Sequence, residues 1–268
     1  MDNLITSTGL KKLHVLFQIS IFISQIMNFN VKASVLKTIV DAFKDVVDDC
    51  NWECSFHGIR MQAMDSSHIC MCTMFLPGSG FTKYQCLDSM TLGLKFSVLA
   101  KLLKLASNDD DVEMHYKDSR VELAFVNGTK RVELGIVSML IESDSLRIND
   151  IQPGVSITMD SKEFRTIVND LHMFDDYTVI TTSGDKIEFS VSDDVACARV
   201  TLKATIDGEY TQKTSYSLKY LSQFSKATST SKCVELGMSA DQPLFVKYDM
   251  ESFGWIKFYL GPKVEEFV

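Results

Sequence analysis

Gly58-Ile59-Arg60-Met61-Gln62-Ala63-Met64-Asp65-Ser66-Ser67-His68 is the stretch on which the reading of the chain turns. Ile59, Met61 and Ala63 alternate with Arg60 and Gln62, the period of a strand with one buried face. A polar turn from Met64 to His68 interrupts the alternation, and Ile69-Cys70-Met71-Cys72 resumes it. A hairpin is therefore expected. Asp65 and His68 also have the chemistry of an acid/base pair, with Ser66 or Ser67 as nucleophile. Neighbours within one turn seldom form a triad, whose members converge from distant segments. The chain has no G-x-S-x-G elbow, P-loop, H-E-x-x-H or EF-hand loop. The run Asp109-Asp110-Asp111 reads as a loop rather than a two-metal carboxylate cluster. No catalytic residue, metal or cofactor is expected.

Outward from this hairpin, 268 residues suffice for one large domain or two ordinary ones. A 46% hydrophobic and 23% charged composition fits a globular chain with a substantial core. The net charge of −8 poses a choice. Either the protein avoids nucleic acid, or its basic residues are segregated onto one surface. Cys50, Cys54, Cys70, Cys72, Cys86, Cys197 and Cys233 are odd in number and lack a zinc-site spacing. Cys70 and Cys72, two apart on a strand, are read as small hydrophobes, and the set as reduced thiols of the cytosol or nucleus. Residues 1–27 differ in character. Their apolar run from Leu13 to Ile23 is broken by His14, Gln18 and Ser20, too short and interrupted for a membrane span. They are expected to be a poorly ordered extension.

The rest of the chain repeats itself. Val35-Leu36-Lys37-Thr38-Ile39-Val40-Asp41 resembles Glu163-Phe164-Arg165-Thr166-Ile167-Val168-Asn169, and Leu94-Lys95-Phe96 resembles Leu218-Lys219-Tyr220. Each pattern is read as opening a short amphipathic helix, giving helices at about 34–49, 97–106, 161–173 and 220–228. Between them lie strands such as Val112–Tyr116, Val121–Val126, Val179–Thr182, Ile187–Val191, Arg199–Leu202 and Ile256–Leu260. Asn127-Gly128, Ser183-Gly184 and Asp207-Gly208 supply hairpin turns. A helix followed by several antiparallel strands, four times over, predicts an α+β fold of two similar domains. The domains are placed at 28–137 and 156–268, joined by a linker at 138–155.

These features are shared with one family. Gly58–His68, Phe81-x-x-Tyr84-x-Cys86, Leu218–Leu221 with Phe224–Thr228, Met238–Leu244 and Tyr259–Glu265 resemble, in order and spacing, the proliferating cell nuclear antigen (PCNA) family of DNA sliding clamps. The resemblance spans about Asn28 to Glu266. It implies a ring-forming, homotrimeric clamp with short helices on the inner side of antiparallel sheets, encircling double-stranded DNA without reading its sequence. The strand near Lys130–Met139 of one subunit is expected to pair with that near Cys197–Thr205 of the next. The implied role is a processivity factor for DNA polymerase in the nucleus, or at the replication site of a virus. Implied partners are polymerase, clamp loader and other replication and DNA repair proteins carrying a PCNA-interacting motif.

The resemblance also assigns residues. Lys37, Lys44, Lys101, Lys104, Arg165, Lys219 and Lys226, with Lys162, match basic positions that face DNA, although Asn169 stands where the family usually has Arg. From the sequence alone the same lysines read equally as solvated helix faces, interleaved with Asp41, Asp45, Asp48 and Asp49. Met64, His68, Ile69, Met71, Pro243, Tyr259, Gly261 and Pro262 match an apolar pocket that takes a partner's Gln and aromatic anchors. Met71 and Ile69 read otherwise as core. The family's Leu-Gly-Ile-Pro linker is absent, and Leu146 and Ile148 are expected to furnish its apolar wall. Two alternatives stand beside this reading: a subunit of a damage-checkpoint heterotrimer, and a nucleic-acid enzyme such as a nuclease.

Overall fold

The structure is a computed structural model, and it describes residues 27–142, 152–192, 196–208, 213–239 and 242–263. The expected extension before Met27 lies outside the described residues. Met27 itself, counted above with that extension, is the fully buried first residue of a strand.

In the first half, β1 (Met27–Lys32) leads into α1 (Ala33–Phe43), followed by β2 (Asp49–Ser55), β3 (Gly58–Met64) and β4 (Cys70–Pro77). Then come β5 (Lys83–Cys86), β6 (Met90–Lys95), α2 (Phe96–Leu103), β7 (Asp111–Lys117), β8 (Arg120–Asn127) and β9 (Lys130–Val137). The second half repeats the order: β10 (Val155–Asp160), α3 (Ser161–Leu171), β11 (Tyr177–Ser183), β12 (Lys186–Ser192), β13 (Cys197–Lys203), β14 (Thr205–Asp207), β15 (Thr214–Ser217), α4 (Leu218–Phe224), β16 (Cys233–Met238), β17 (Leu244–Asp249) and β18 (Trp255–Leu260).

The pairing carries the same repeat. One sheet runs β5-β1-β7-β8-β9, and its counterpart runs β14-β10-β16-β17-β18. The remaining strands form β4-β3-β2-β6 and β13-β12-β11-β15. Antiparallel pairing of β18 with β4, Trp255 opposite Phe75 through Leu260 opposite Cys70, fuses two of these units into a nine-stranded sheet spanning both halves. Helices cover its inner face, and there Phe43 of α1, Phe258 of β18 and Phe224 of α4 meet. The rings of Phe224 and Phe258 stack at 4.4 Å, so one aromatic column crosses the junction of the halves.

The helices sit near their expected places, with differences that have local causes. α1 stops at Phe43 rather than running to residue 49. Val46 and Val47 donate back to the Phe43 carbonyl, and Asp48 then serves another helix. Its carbonyl accepts from Phe96 N, and its carboxylate accepts from Ser97 N, so it caps α2 from a distant segment. The second repeat shifts by two residues, because Leu94 and Lys95 end β6 whereas Leu218 and Lys219 already belong to α4. After α4 the chain continues as a 3₁₀ turn from Ser225 to Thr230. Among the described residues, no helix is long and apolar enough to cross a membrane.

Candidate functional site

The Gly58–His68 stretch forms β3 and its turn into β4 as expected, with Met64 opposite Met71. Asp65 organises the turn. Its carboxylate is nearly buried, at 5% exposure. One oxygen accepts from the N–H groups of Ile69 (2.9 Å) and Cys70 (2.7 Å). The other accepts from Ser67 N (3.1 Å) and from the Tyr220 hydroxyl of α4 (2.6 Å). Burial opposes ionisation of Asp65, but the Tyr220 hydroxyl and the three N–H groups outweigh it and hold the carboxyl below the ordinary carboxylate range. On the other partner, burial and the bond to Asp65 push the Tyr220 hydroxyl up to about 12. His68 adopts a left-handed backbone (φ 57°), and its N–H donates to the Asp65 carbonyl. Both carboxylate oxygens are thus engaged in holding the turn, and the acid/base arrangement considered above does not form around them.

Beside the turn, cross-strand register aligns four side chains on one face of the nine-stranded sheet. Phe245 pairs with Tyr259, Tyr259 with Met71, and Met71 with Met64. Phe245, Tyr259 and Met71 form an apolar cluster separate from the main core. Lys257 lies on the same face, its ammonium 4.1 Å from the Phe245 ring centroid and 4.8 Å from that of Tyr259. The row leads into a cleft of ≈ 250 Å³ lined by Met64, Asp65, His68, Met71 and, across it, Ile141 and Glu142. The chain after β9 forms that opposite wall. Met139 N donates to Gly93 O, and Asn51 Nδ2 donates to Ile141 O. Gly93 is required there, since a Cβ would lie 2.0 Å from the Met139 carbonyl. Gly261 N donates to Ile69 O, bringing the Gly261-Pro262 segment against the turn.

The residues matched to a docking pocket therefore converge from three segments. Met71 and Tyr259 are buried as its floor, Ile69 and His68 are exposed on its rim, and Pro243, Gly261 and Pro262 are half-buried beside it. Ile69, at 48% exposure, is not core. Leu146 and Ile148 lie outside the described residues. Phe245, Lys257 and Tyr220 were not singled out as site residues, and Asp65 was considered only as an acid/base partner of His68. For Phe245 the signal was available, as it alternates with the Leu244, Val246 face of a recognisable strand.

The basic residues divide into two groups. Lys101, Lys104, Lys162, Arg165 and Lys219 are exposed on the helices and make no ion pair among the described residues. The other three are engaged. Lys37 is half-buried, donating to Ala106 O (2.6 Å) and Asn108 Oδ1 (3.1 Å), which ties α1 to the turn after α2. Lys44 pairs with Asp41 at 2.5 Å, and Lys226 with Asp45 of the other half at 2.6 Å. The basic positions matched to DNA contacts thus stand in unlike surroundings. Lys37 is spent on chain packing, and Lys44 and Lys226 carry their own counter-ions.

Comparison with known proteins settles the family. Residues 27–147 match the N-terminal domain and residues 147–263 the C-terminal domain of proliferating cell nuclear antigen. The chain belongs to the PCNA family. It is 35% identical over 248 residues to the proliferating cell nuclear antigen of Chaetomium thermophilum, a match covering 87% of this chain and 96% of the relative. A PCNA-family chain of this two-domain α+β form is a DNA sliding clamp, the processivity factor of replication. The match reaches both domains and includes the hairpin.

Proposed function

We propose that three copies of this chain close head to tail into a ring around duplex DNA in the nucleus. The ring tethers polymerase, clamp loader and repair proteins without catalysing a reaction itself. The observation that carries this reading is the unequal treatment of equivalent strands. Shifting every strand number by nine maps β9 onto β18 and β4 onto β13. The chain pairs β18 with β4 and leaves their counterparts, β9 and β13, as sheet edges. Both edges alternate exposed with half-buried residues, and Val132, Leu134, Ile136, Ala198, Val200 and Leu202 rest against the core. Unpaired edges of this kind invite another chain. Pairing β9 of one copy with β13 of the next reproduces the internal junction, and a heterologous contact that closes makes a ring. The count of three comes from the family.

Lys101, Lys104, Lys162, Arg165 and Lys219, which make no ion pair among the described residues, supply phosphate contacts that carry no sequence information and weaken with salt. Lys44 and Lys226 contribute less, since each must first leave its aspartate, and Lys37 contributes least. The cleft and the Phe245-Tyr259-Met71-Met64 row take the aromatic anchors of a partner's motif, with Leu146 and Ile148 of the linker closing over them. Tethering then raises the partner's effective concentration at the primer end. Polymerase run length on primed DNA with a clamp loader tests this. Wild-type protein lengthens products, and the variant Lys101→Ala/Lys104→Ala/Lys219→Ala shortens them increasingly as salt rises. Equal retention of that variant on DNA at low salt would remove the lining role.

A further inference from the structure

We propose that Tyr220 is a positioning residue for the docking site, holding the His68–Ile69 rim in place through its hydrogen bond to Asp65. The proposal rests on the docking reading above and adds to it a residue outside the pocket that sets the pocket's shape. Tyr220 lies on α4 of the second half, and Asp65 lies in the β3–β4 turn of the first, 155 residues away. The bond between them is short, at 2.6 Å, and ends on a carboxylate that is nearly buried. A charge-assisted bond in that setting is among the stronger ones.

The geometry of the turn explains why this one bond matters to the rim. The same carboxylate fixes the N–H groups of Ser67, Ile69 and Cys70, which bracket the exposed rim residues His68 and Ile69. His68 has a positive φ, a conformation that costs energy for a residue with a Cβ and persists when its surroundings over-determine it. The rim in turn receives Gly261 N on the Ile69 carbonyl, which anchors the Gly261-Pro262 side of the pocket. Tyr220 is half-buried, does not line the cleft and reaches its rim through Asp65 and, beside it, the Ser67 side chain of the same turn. Without its hydroxyl, the carboxylate keeps its backbone donors but loses the strut to α4. The rim then becomes free to shift relative to the floor, whose Tyr259 and Phe245 belong to the second half.

Tyr84 offers an internal control. Its hydroxyl donates to Ser55 O at 2.7 Å, a comparable tyrosine bond within the first half that does not reach the turn. The test measures binding of a fluorescent synthetic peptide carrying one glutamine and two aromatic anchors, alongside thermal unfolding. Tyr220→Phe is expected to bind about five-fold more weakly, the equivalent of one net hydrogen bond. Tyr84→Phe is expected to melt at a lower temperature yet bind like wild type. In an Asp65→Ala background, Tyr220→Phe is expected to make a much smaller difference than in wild type, since most of its effect passes through the carboxylate. Wild-type affinity in Tyr220→Phe, or equal weakening in Tyr84→Phe, would overturn the positioning role. Failure of the wild-type protein itself to bind the peptide would instead overturn the docking reading.

Discussion

The two ends of each sheet unit meet different fates in one chain. β18 and β4 are joined by a full antiparallel ladder, sealed inside by the Phe43-Phe258-Phe224 column and outside by the Phe245-Tyr259-Met71 cluster. Further ties cross the same boundary, among them Tyr220 to Asp65, Lys226 to Asp45 and Gln223 Nε2 to the Asp45 carbonyl. β9 and β13 hold the equivalent positions and have none of this among the described residues. Their inward side chains are only half-buried, and Val137 at the end of β9 is 62% exposed. On the proposed ring, the closed junction is a working copy of the contact that the open edges make between chains. A sheet edge with a half-buried apolar face is incomplete rather than finished.

The closed side can be broken in graded steps. Phe258→Ala removes the ring stacked on Phe224 and facing Phe43, and is expected to cost about 3–5 kcal/mol in denaturant unfolding. Asp65→Asn removes the charge that Tyr220 and three backbone groups address, with an expected cost of about 1.5–3 kcal/mol. The pH dependence follows the same group. Its folded value lies below the unfolded one, so its contribution is present above pH ~4 and fades as the pH falls through the folded value. Asp65→Asn is expected to flatten that acid limb in unfolding measured between neutral and strongly acidic pH. Lys226→Ala breaks an exposed pair and is expected to change stability by no more than about 1 kcal/mol. A loss from Lys226→Ala exceeding that from Phe258→Ala would mean that surface charge, not the aromatic column, holds the halves together.

Much of this was legible because it is local. The Ile59-Met61 alternation, the Asn127-Gly128 turn and the Val35-Leu36-Ile39 stripe each state their element within a few residues. So do β9 and β13, whose alternation is visible in Val132-Leu134-Ile136 and Ala198-Val200-Leu202. Asp207-Gly208, expected as a hairpin turn, is not one, because β14 pairs with β10 and β15 with β11, in different sheets. The overlong first helix has a non-local cause, since Asp48 is helix-compatible in sequence but serves as the cap of α2. The pairing of Lys226 with Asp45 and the hold of Ala106 and Asn108 on Lys37 also join distant segments. No periodicity encodes such bonds, and so the lysines looked alike. Tyr220 was likewise hidden, its partner being in the other half. The pocket residues were reachable only through family resemblance, because Met64, Pro243 and Gly261 share neither a segment nor a period.

The central claim is that the open edges complete each other between chains, and the molar mass in solution tests it most directly. With light scattering on a sizing column at micromolar concentration, three chain masses of 30.2 kDa are predicted for the wild-type protein. A single chain mass is predicted for Leu134→Glu/Leu202→Glu with its secondary structure intact. A folded wild-type protein that elutes at one chain mass, or a double variant that keeps the wild-type mass, would contradict the ring.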